Sequence, residues 1–238
     1  MERDIERFLR YLAVEKGLSD NYQLSVRRAL DHLSEWLENE RGVTEPGQVT
    51  LDHLTAYLAH RRLDDRVASS SLRVNLIGIK IFFRYLAGKG KASEDVAEGI
   101  DSPEVEKYLP ETLNELSVKK LLEASREDSR PLARRDTAIL ELLYSSGLRV
   151  SELVNARLEN IYLEDGAIRV TGKGNKTRVV PVGSAALEAL NCYLKGERPS
   201  LVSRQSGSEI FLSKWGKKLT TTRIWQIVTQ RAKLAGIE

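Results

Sequence analysis

Residues 170–182 read VTGKGNKTRVVPV, two glycines and two lysines set between runs of β-branched residues. This is the vocabulary of a phosphate-binding loop, and the kind of loop decides the fold. A nucleotide P-loop needs a four-residue spacer before Gly-Lys-Ser/Thr, then a helix whose N-terminus faces the phosphates. GKGNKT lacks the spacer, and a second extended run follows it in place of a helix. A dinucleotide fingerprint fails for the same reasons. AIRVTG and TRVVPV instead flank a tight tip and predict a β-hairpin, with Gly and Asn supplying positive φ at the turn.

Outward from the hairpin the periodicity becomes helical. Downstream, Leu187, Leu190 and Leu194 mark one helix, EIFLS reads as a short strand, and TTTRIWQIVTQRAKLAG reads as a last helix. Upstream, a helix from Ser117 precedes a longer one through Ile139, Leu142 and Leu143, which Gly147 stops. Residues 114–238 are thus an α+β domain, mainly helical. Before it, GKGKASEDVAEGIDSPEVEKYLPETLNE has no periodicity and is rich in Gly, Pro and acids, so residues 89–113 read as a linker.

Residues 1–88 read as four helices. Ile5, Phe8, Leu9 and Leu12 form one apolar stripe; Ser19 is placed to cap a second helix with Leu30, Leu33, Trp36 and Leu37 inside. Thr50 caps a third with Leu51, Leu54 and Leu58 inside. Leu72, Leu76, Ile79 and Phe83 mark a fourth, ending near Gly88. The fold class is therefore mainly α with a small β-sheet.

Composition narrows the function classes. The chain has 238 residues, 41% hydrophobic and 30% charged, and no apolar run near the roughly 20 residues that span a bilayer, so no membrane role is expected. MERDIERFLRYLAVEKG is charged and amphipathic and lacks the apolar core of a secretory signal. The single cysteine, Cys192, excludes an internal disulfide framework and reads as a small buried group on a helix, in a reducing, cytoplasmic setting. A net charge of +3, from 37 Lys+Arg against 34 Asp+Glu, argues weakly for nucleic acid unless the cations share faces. Several do: Arg73, Lys80 and Arg84 are spaced by seven and four on the fourth helix. Arg27 and Arg28 lie on the second, with Asn21 and Tyr22 near its start.

Twenty-odd residues before the hairpin stands LLYSSGLRVSELVNA. A helix ends at Gly147 and another begins near Ser151, leaving Arg149 at the turn, where helix ends can fix its guanidinium for bidentate phosphate recognition. Glu152, three residues on, can orient it.

The SSGLR turn, the Arg-x-x-Glu spacing and the Gly-Lys-Gly-Asn-Lys hairpin together resemble the tyrosine site-specific recombinases, and within them the bacterial Xer type. The likeness runs in order from ERFLRYLAVEKGLSDNY through LPETLNELSVKKLL and RDTAILELLYSSGLRVSELV to AKLAGI. It implies an N-terminal four-helix, SAM-like core-binding domain and a catalytic domain that together clamp duplex DNA. It implies a tyrosine attacking a phosphodiester to leave a 3′-phosphotyrosyl link and a free 5′-hydroxyl, with no metal and no cofactor.

Matched residue by residue, Arg149 takes the family's first catalytic arginine and Lys173 the general acid for the leaving 5′-oxygen, with Glu152 in support. The helices carrying Asn21, Tyr22, Arg27 and Arg28 and carrying Arg73, Lys80 and Arg84 would enter the major groove. Lys176, Arg178 and Arg223 would contact phosphates. The implied role is resolution of chromosome dimers at cell division, with a related protomer in a tetrameric synapse and an activating protein at the division site. The family's His-x-x-Arg and nucleophilic tyrosine should follow AKLAGI. All three histidines, His32, His53 and His60, lie in the helical domain, and Tyr144, Tyr162 and Tyr193 do not match the nucleophile. The 238 residues by themselves are therefore expected to bind DNA without cutting it. A phage- or transposon-type integrase, a catalytically inactive DNA-binding fragment and an interaction scaffold remain the alternatives.

Overall fold

The computed structural model describes residues 1–92, 94–102, 112–128, 130–172 and 176–237. The chain divides into two compact units, Met1–Leu109 and Pro110–Glu238. In the first, α1 (Glu2–Val14), α2 (Asp20–Arg41), α3 (Leu51–Leu63) and α4 (Ser69–Gly88) are the four expected helices. Ile5, Phe8 and Leu12 bury the α1 stripe, against Leu30, Leu33 and Leu37 of α2 and Ile79, Phe82, Phe83 and Leu86 of α4. A Cβ on Gly78 would meet Val26 Cγ2 at 3.5 Å, so α2 and α4 approach closely where a glycine faces a valine.

The caps differ in kind. Ser19 occupies the expected position, but its side chain makes no capping bond. At Thr50 the box is reciprocal: its Oγ1 accepts from His53 N, and His53 Nδ1 accepts from Thr50 N, both at 3.3 Å. Leu51, expected inside, is 46% exposed, and Tyr57 is buried in its stead. Leu54, Tyr57 and Leu58 centre the α3 stripe away from its first residue, so Leu51 falls at the edge. The stretch read as linker contributes to this core. Ala97 is fully buried, and Ala92, Val96 and Ile100, spaced by four, pack beside it.

The second unit runs α5 (Glu115–Arg126), α6 (Ala133–Ser146), α7 (Val150–Val154), β1 (Ile161–Tyr162), β2 (Ala167–Thr171), β3 (Thr177–Pro181), α8 (Ser184–Gly196), α9 (Arg198–Leu201) and α10 (Thr221–Leu234). The strands form an antiparallel sheet in the order β1-β2-β3, with Ile168 opposite Val180, Val170 opposite Arg178 and Thr171 opposite Thr177. Ile168 and Val170 face a core that also holds Ile139, Leu142, Leu190, Tyr193, Phe211 and Ile224. Helix α5 starts at Glu115, before the expected Ser117, because Asn114 Oδ1 caps it by accepting from Ser117 N at 2.8 Å.

Two further expectations are corrected. EIFLS is not a strand, although Ile210, Phe211 and Leu212 are all buried. Its backbone is satisfied chiefly by side chains: Arg198 donates to the carbonyls of Glu209 and Ile210, Arg135 donates to that of Leu212, and Leu212 N donates to the Tyr193 hydroxyl. Cys192 is exposed. Its neighbour Tyr193 takes the inward position with Ala186 and Leu190 and turns Cys192 outward.

Candidate active site

Gly147, at φ 57°, ends α6 in the left-handed conformation that glycine adopts without strain and reverses the chain. Arg149 then caps α7 from an extended conformation. Glu152 folds back on it: Oε2 accepts from Arg149 N at 2.9 Å and Oε1 from Arg149 Nη1 at 3.1 Å. From β3, Arg178 closes on the same carboxylate with Nη1 to Oε1 at 2.6 Å and Nη2 to Oε2 at 2.9 Å. The Glu152 side chain is 2% exposed, whereas that of Arg149 is 69% exposed. One edge of the Arg149 guanidinium is therefore anchored and the rest is free to receive an anion.

The hydrogen bonds from Arg178, and then those from Arg149, hold the Glu152 carboxyl at about 2, below its ordinary 4.5, against the burial that would raise it. A depressed carboxylate stabilises the fold above its unfolded value, and that contribution disappears as pH falls from about 5 toward 2. Both arginine side chains are exposed to solvent, at 69% and 42%, so screening reduces the contribution to about 1–2 kcal/mol. Glu152→Gln should flatten this acid limb of the second unit's urea stability. An unchanged limb would show that the carboxylate is not held as its geometry indicates.

The hairpin root lies on this cluster. A Cβ on Gly172 would stand 3.0 Å from Glu152 Oε1 and 3.4 Å from Arg178 Nη1, so the backbone passes directly over the carboxylate. Gly172 N donates to Lys176 O at 2.9 Å and closes the tip. Lys173, the residue expected to act as general acid, follows Gly172 and lies outside the described residues.

The expected DNA contacts fall into two groups. Arg28, Arg73 and Arg84 are exposed, as are Asn21, Lys176 and Arg223, while Tyr22 and Lys80 are half-buried. Lys80 Nζ donates to Glu98 O at 3.3 Å, and Arg84 Nε stands 3.4 Å from Asp95 Oδ2. Arg27 is held by Glu6 and Asp31, and Arg178 by Glu152, so the charge of each is compensated within its own unit. Sequence reading passed over the turn SKWGKK, residues 213–218. There Trp215 is 70% exposed with Lys214 stacked on it, and Lys218 Nζ reaches Asn155 Oδ1, at the end of α7, at 2.5 Å. Three lysines around an exposed tryptophan were the available signal. Tyr193 is fully buried, and its burial raises its pKa. Among the described residues no group of three or more His, Cys, Asp or Glu side chains could hold a metal, and no helix is long and apolar enough to cross a membrane.

The model of the phage integrase family matches residues 111–238, more than half of the chain and all of this cluster. The chain belongs to the phage integrase family. The model of the phage integrase N-terminal SAM-like domain matches residues 5–90, the four-helix unit. Tyrosine recombinase XerD of Listeria monocytogenes serotype 4b is 36% identical over 235 residues, 98% of this chain and 78% of that protein. XerD of Pseudomonas aeruginosa is 38% identical over 233 residues, 98% of this chain and 77% of that protein. The fold matches that of a lambda integrase (75-356) dimer bound to a COC' core site, with a TM-score of 0.73 at 18% identity, covering 100% of this chain and 79% of the other. As an integrase-family member similar to Xer tyrosine recombinases, the chain has the activity class of DNA strand breakage and rejoining in site-specific recombination.

Proposed function

We propose that both units of this chain grip a duplex recombination site and that the Arg149 turn is where the scissile phosphate is held. The observation that carries the reading is an exposed guanidinium anchored on a buried, ionised carboxylate, with the hairpin root laid across the same group. Arg149 would neutralise the non-bridging oxygens as negative charge builds during attack by the family's tyrosine. The bond from phosphorus to the 5′ oxygen breaks as the tyrosinate oxygen bonds to phosphorus, and Lys173 gives its proton to that leaving oxygen. Such a transfer is typically worth ~10²–10⁴-fold. In rejoining, a 5′-hydroxyl attacks the phosphorus of the phosphotyrosyl link, its proton returns to the lysine, and the bond to the tyrosine oxygen breaks to release tyrosinate.

The likeness to Xer tyrosine recombinases supports a Xer-type role, for which we propose chromosome-dimer resolution at division, in the cytoplasm, with a related protomer in a tetrameric synapse and an activating protein. The test is titration of the 238-residue chain onto short duplexes. Neutralising Arg73, Arg84 and Lys176 together should lower the log–log salt slope by roughly 0.9 for each phosphate that no longer meets a cation. An unchanged slope sinks the assignment of these residues to phosphates, and no binding even at low salt would turn the reading toward an interaction scaffold. A duplex carrying the chromosomal recombination site should bind more tightly than an unrelated one of equal length; equal affinity would remove the division role.

A further inference from the structure

Arg178 is grouped by sequence with the phosphate-binding cations, but its surroundings give it different work. In the sheet register it stands opposite Val170, so it shares the inward face of Ile168, Val170 and Val180. Arg169, Thr171, Thr177 and Val179 occupy the other face, by the two-residue alternation of strands. Although its side chain is 42% exposed, Arg178 meets both oxygens of Glu152 in the parallel, two-bond geometry that only a guanidinium supplies. Those oxygens also receive Arg149 N and Nη1. One carboxylate is therefore the common anchor of two segments: the turn that presents Arg149 and the strand pair whose tip starts after Gly172. Gly172 brings the hairpin root close to this junction, since a methyl there would stand 3.0 Å from Glu152 Oε1.

We propose that Arg178 is a positioning residue: by clamping Glu152 it latches the β2–β3 hairpin to the Arg149 turn and fixes the tip's root relative to the phosphate-binding guanidinium. The inference rests on the reading of Arg149 above. Its consequence for chemistry is large because displacement of a reacting group by about 1 Å can cost ~10²-fold in rate. A lysine at 178 would keep the charge but could not make both bonds.

The experiment uses the 238-residue chain with Arg178→Gln, Arg178→Lys, Glu152→Gln and the Glu152→Gln, Arg178→Gln double variant. Hydrogen exchange at the Gly172 amide and the Glu152 carboxyl titration are followed by NMR without DNA, and the salt slope of duplex binding is measured separately. A latch predicts that both single Arg178 variants speed Gly172 exchange by roughly tenfold or more and raise the Glu152 titration above about 2, while the salt slope is unchanged. It also predicts that Arg178→Gln adds nothing to exchange once Glu152 is glutamine. Additive exchange effects would overturn it. So would unaltered exchange and titration in Arg178→Lys accompanied by a slope in Arg178→Gln lower by about 0.9, the signature of a cation seated on a phosphate. Should Arg178→Gln fail to fold, Arg178→Lys decides. Absence of DNA binding would remove the functional reading, and the exchange and titration results would still judge the latch.

Discussion

Replacing Arg135 by alanine should lower the thermal midpoint of the second unit by about 10–15 °C. Arg135 is 1% exposed, and its guanidinium is engaged at three nitrogens. Nε and Nη2 donate to Asp136 Oδ1 at 3.0 and 2.7 Å, and Nη1 donates to Leu212 O at 3.1 Å. Alanine would leave the buried Asp136 with Arg231 as its remaining cationic partner, at 2.8 Å, and the Leu212 carbonyl without its donor. Removing one member of a buried pair costs about 3–5 kcal/mol, chiefly because the other is stranded. At roughly 3 °C per kcal/mol for a domain of this size, the shift follows. Arg135→Met should fall between, because it refills volume but still deprives Asp136 of the guanidinium. Fluorescence of Trp215 and Trp225 reports this unit and Trp36 the other. A drop of under about 3 °C would mean that the cluster relaxes around the missing side chain and does not tie residues 209–212 and α10 to α6.

That cluster also marks where sequence reading stops. The helices of the first unit were legible because their apolar residues recur every three or four positions, and the hairpin because β-branched runs flank a glycine tip. Arg149 and Glu152 were legible together for a local reason: three residues is the spacing at which a side chain returns to its own helix cap. The Glu152–Arg178 clamp was not, since its partners are 26 residues apart and the charge pattern of β3 alone reads as outward. EIFLS failed in the same way. An apolar run announces burial, but whether its carbonyls meet a strand or the guanidinia of Arg135 and Arg198 depends on side chains up to 77 positions distant. Sparse patterns were missed too: Ala92, Val96, Ala97 and Ile100 are too few among polar neighbours to signal a docked segment.

In the first unit the largest loss should come from Phe8→Ala. Its ring is fully buried, with centroids 5.3 Å from Phe82 and 5.2 Å from Tyr85, so together with Tyr11, 4.9 Å from Tyr85, it holds α1 against α4. Truncation to alanine removes the transfer energy of the ring and leaves a cavity, about 3–5 kcal/mol together. A domain of this size has about 5–15 kcal/mol in all, so the unit would keep its fold at room temperature with little to spare. Its midpoint should fall by about 15 °C or more, while Trp215 and Trp225 report a second unit left in place, since the two units have separate cores. Function should follow with temperature. Arg28, Arg73 and Arg84 are displayed only while α2 and α4 hold their packing, so above the lowered midpoint the salt slope of DNA binding should shrink to that of the second unit's cations. Phe8→Leu, which keeps most of the volume, should retain most of the slope and lose about 1–1.5 kcal/mol. If Phe8→Ala melts the unit yet the full slope persists above that midpoint, the cations of the first unit are not part of the grip on DNA, and the two-unit clamp gives way to binding by the second unit alone.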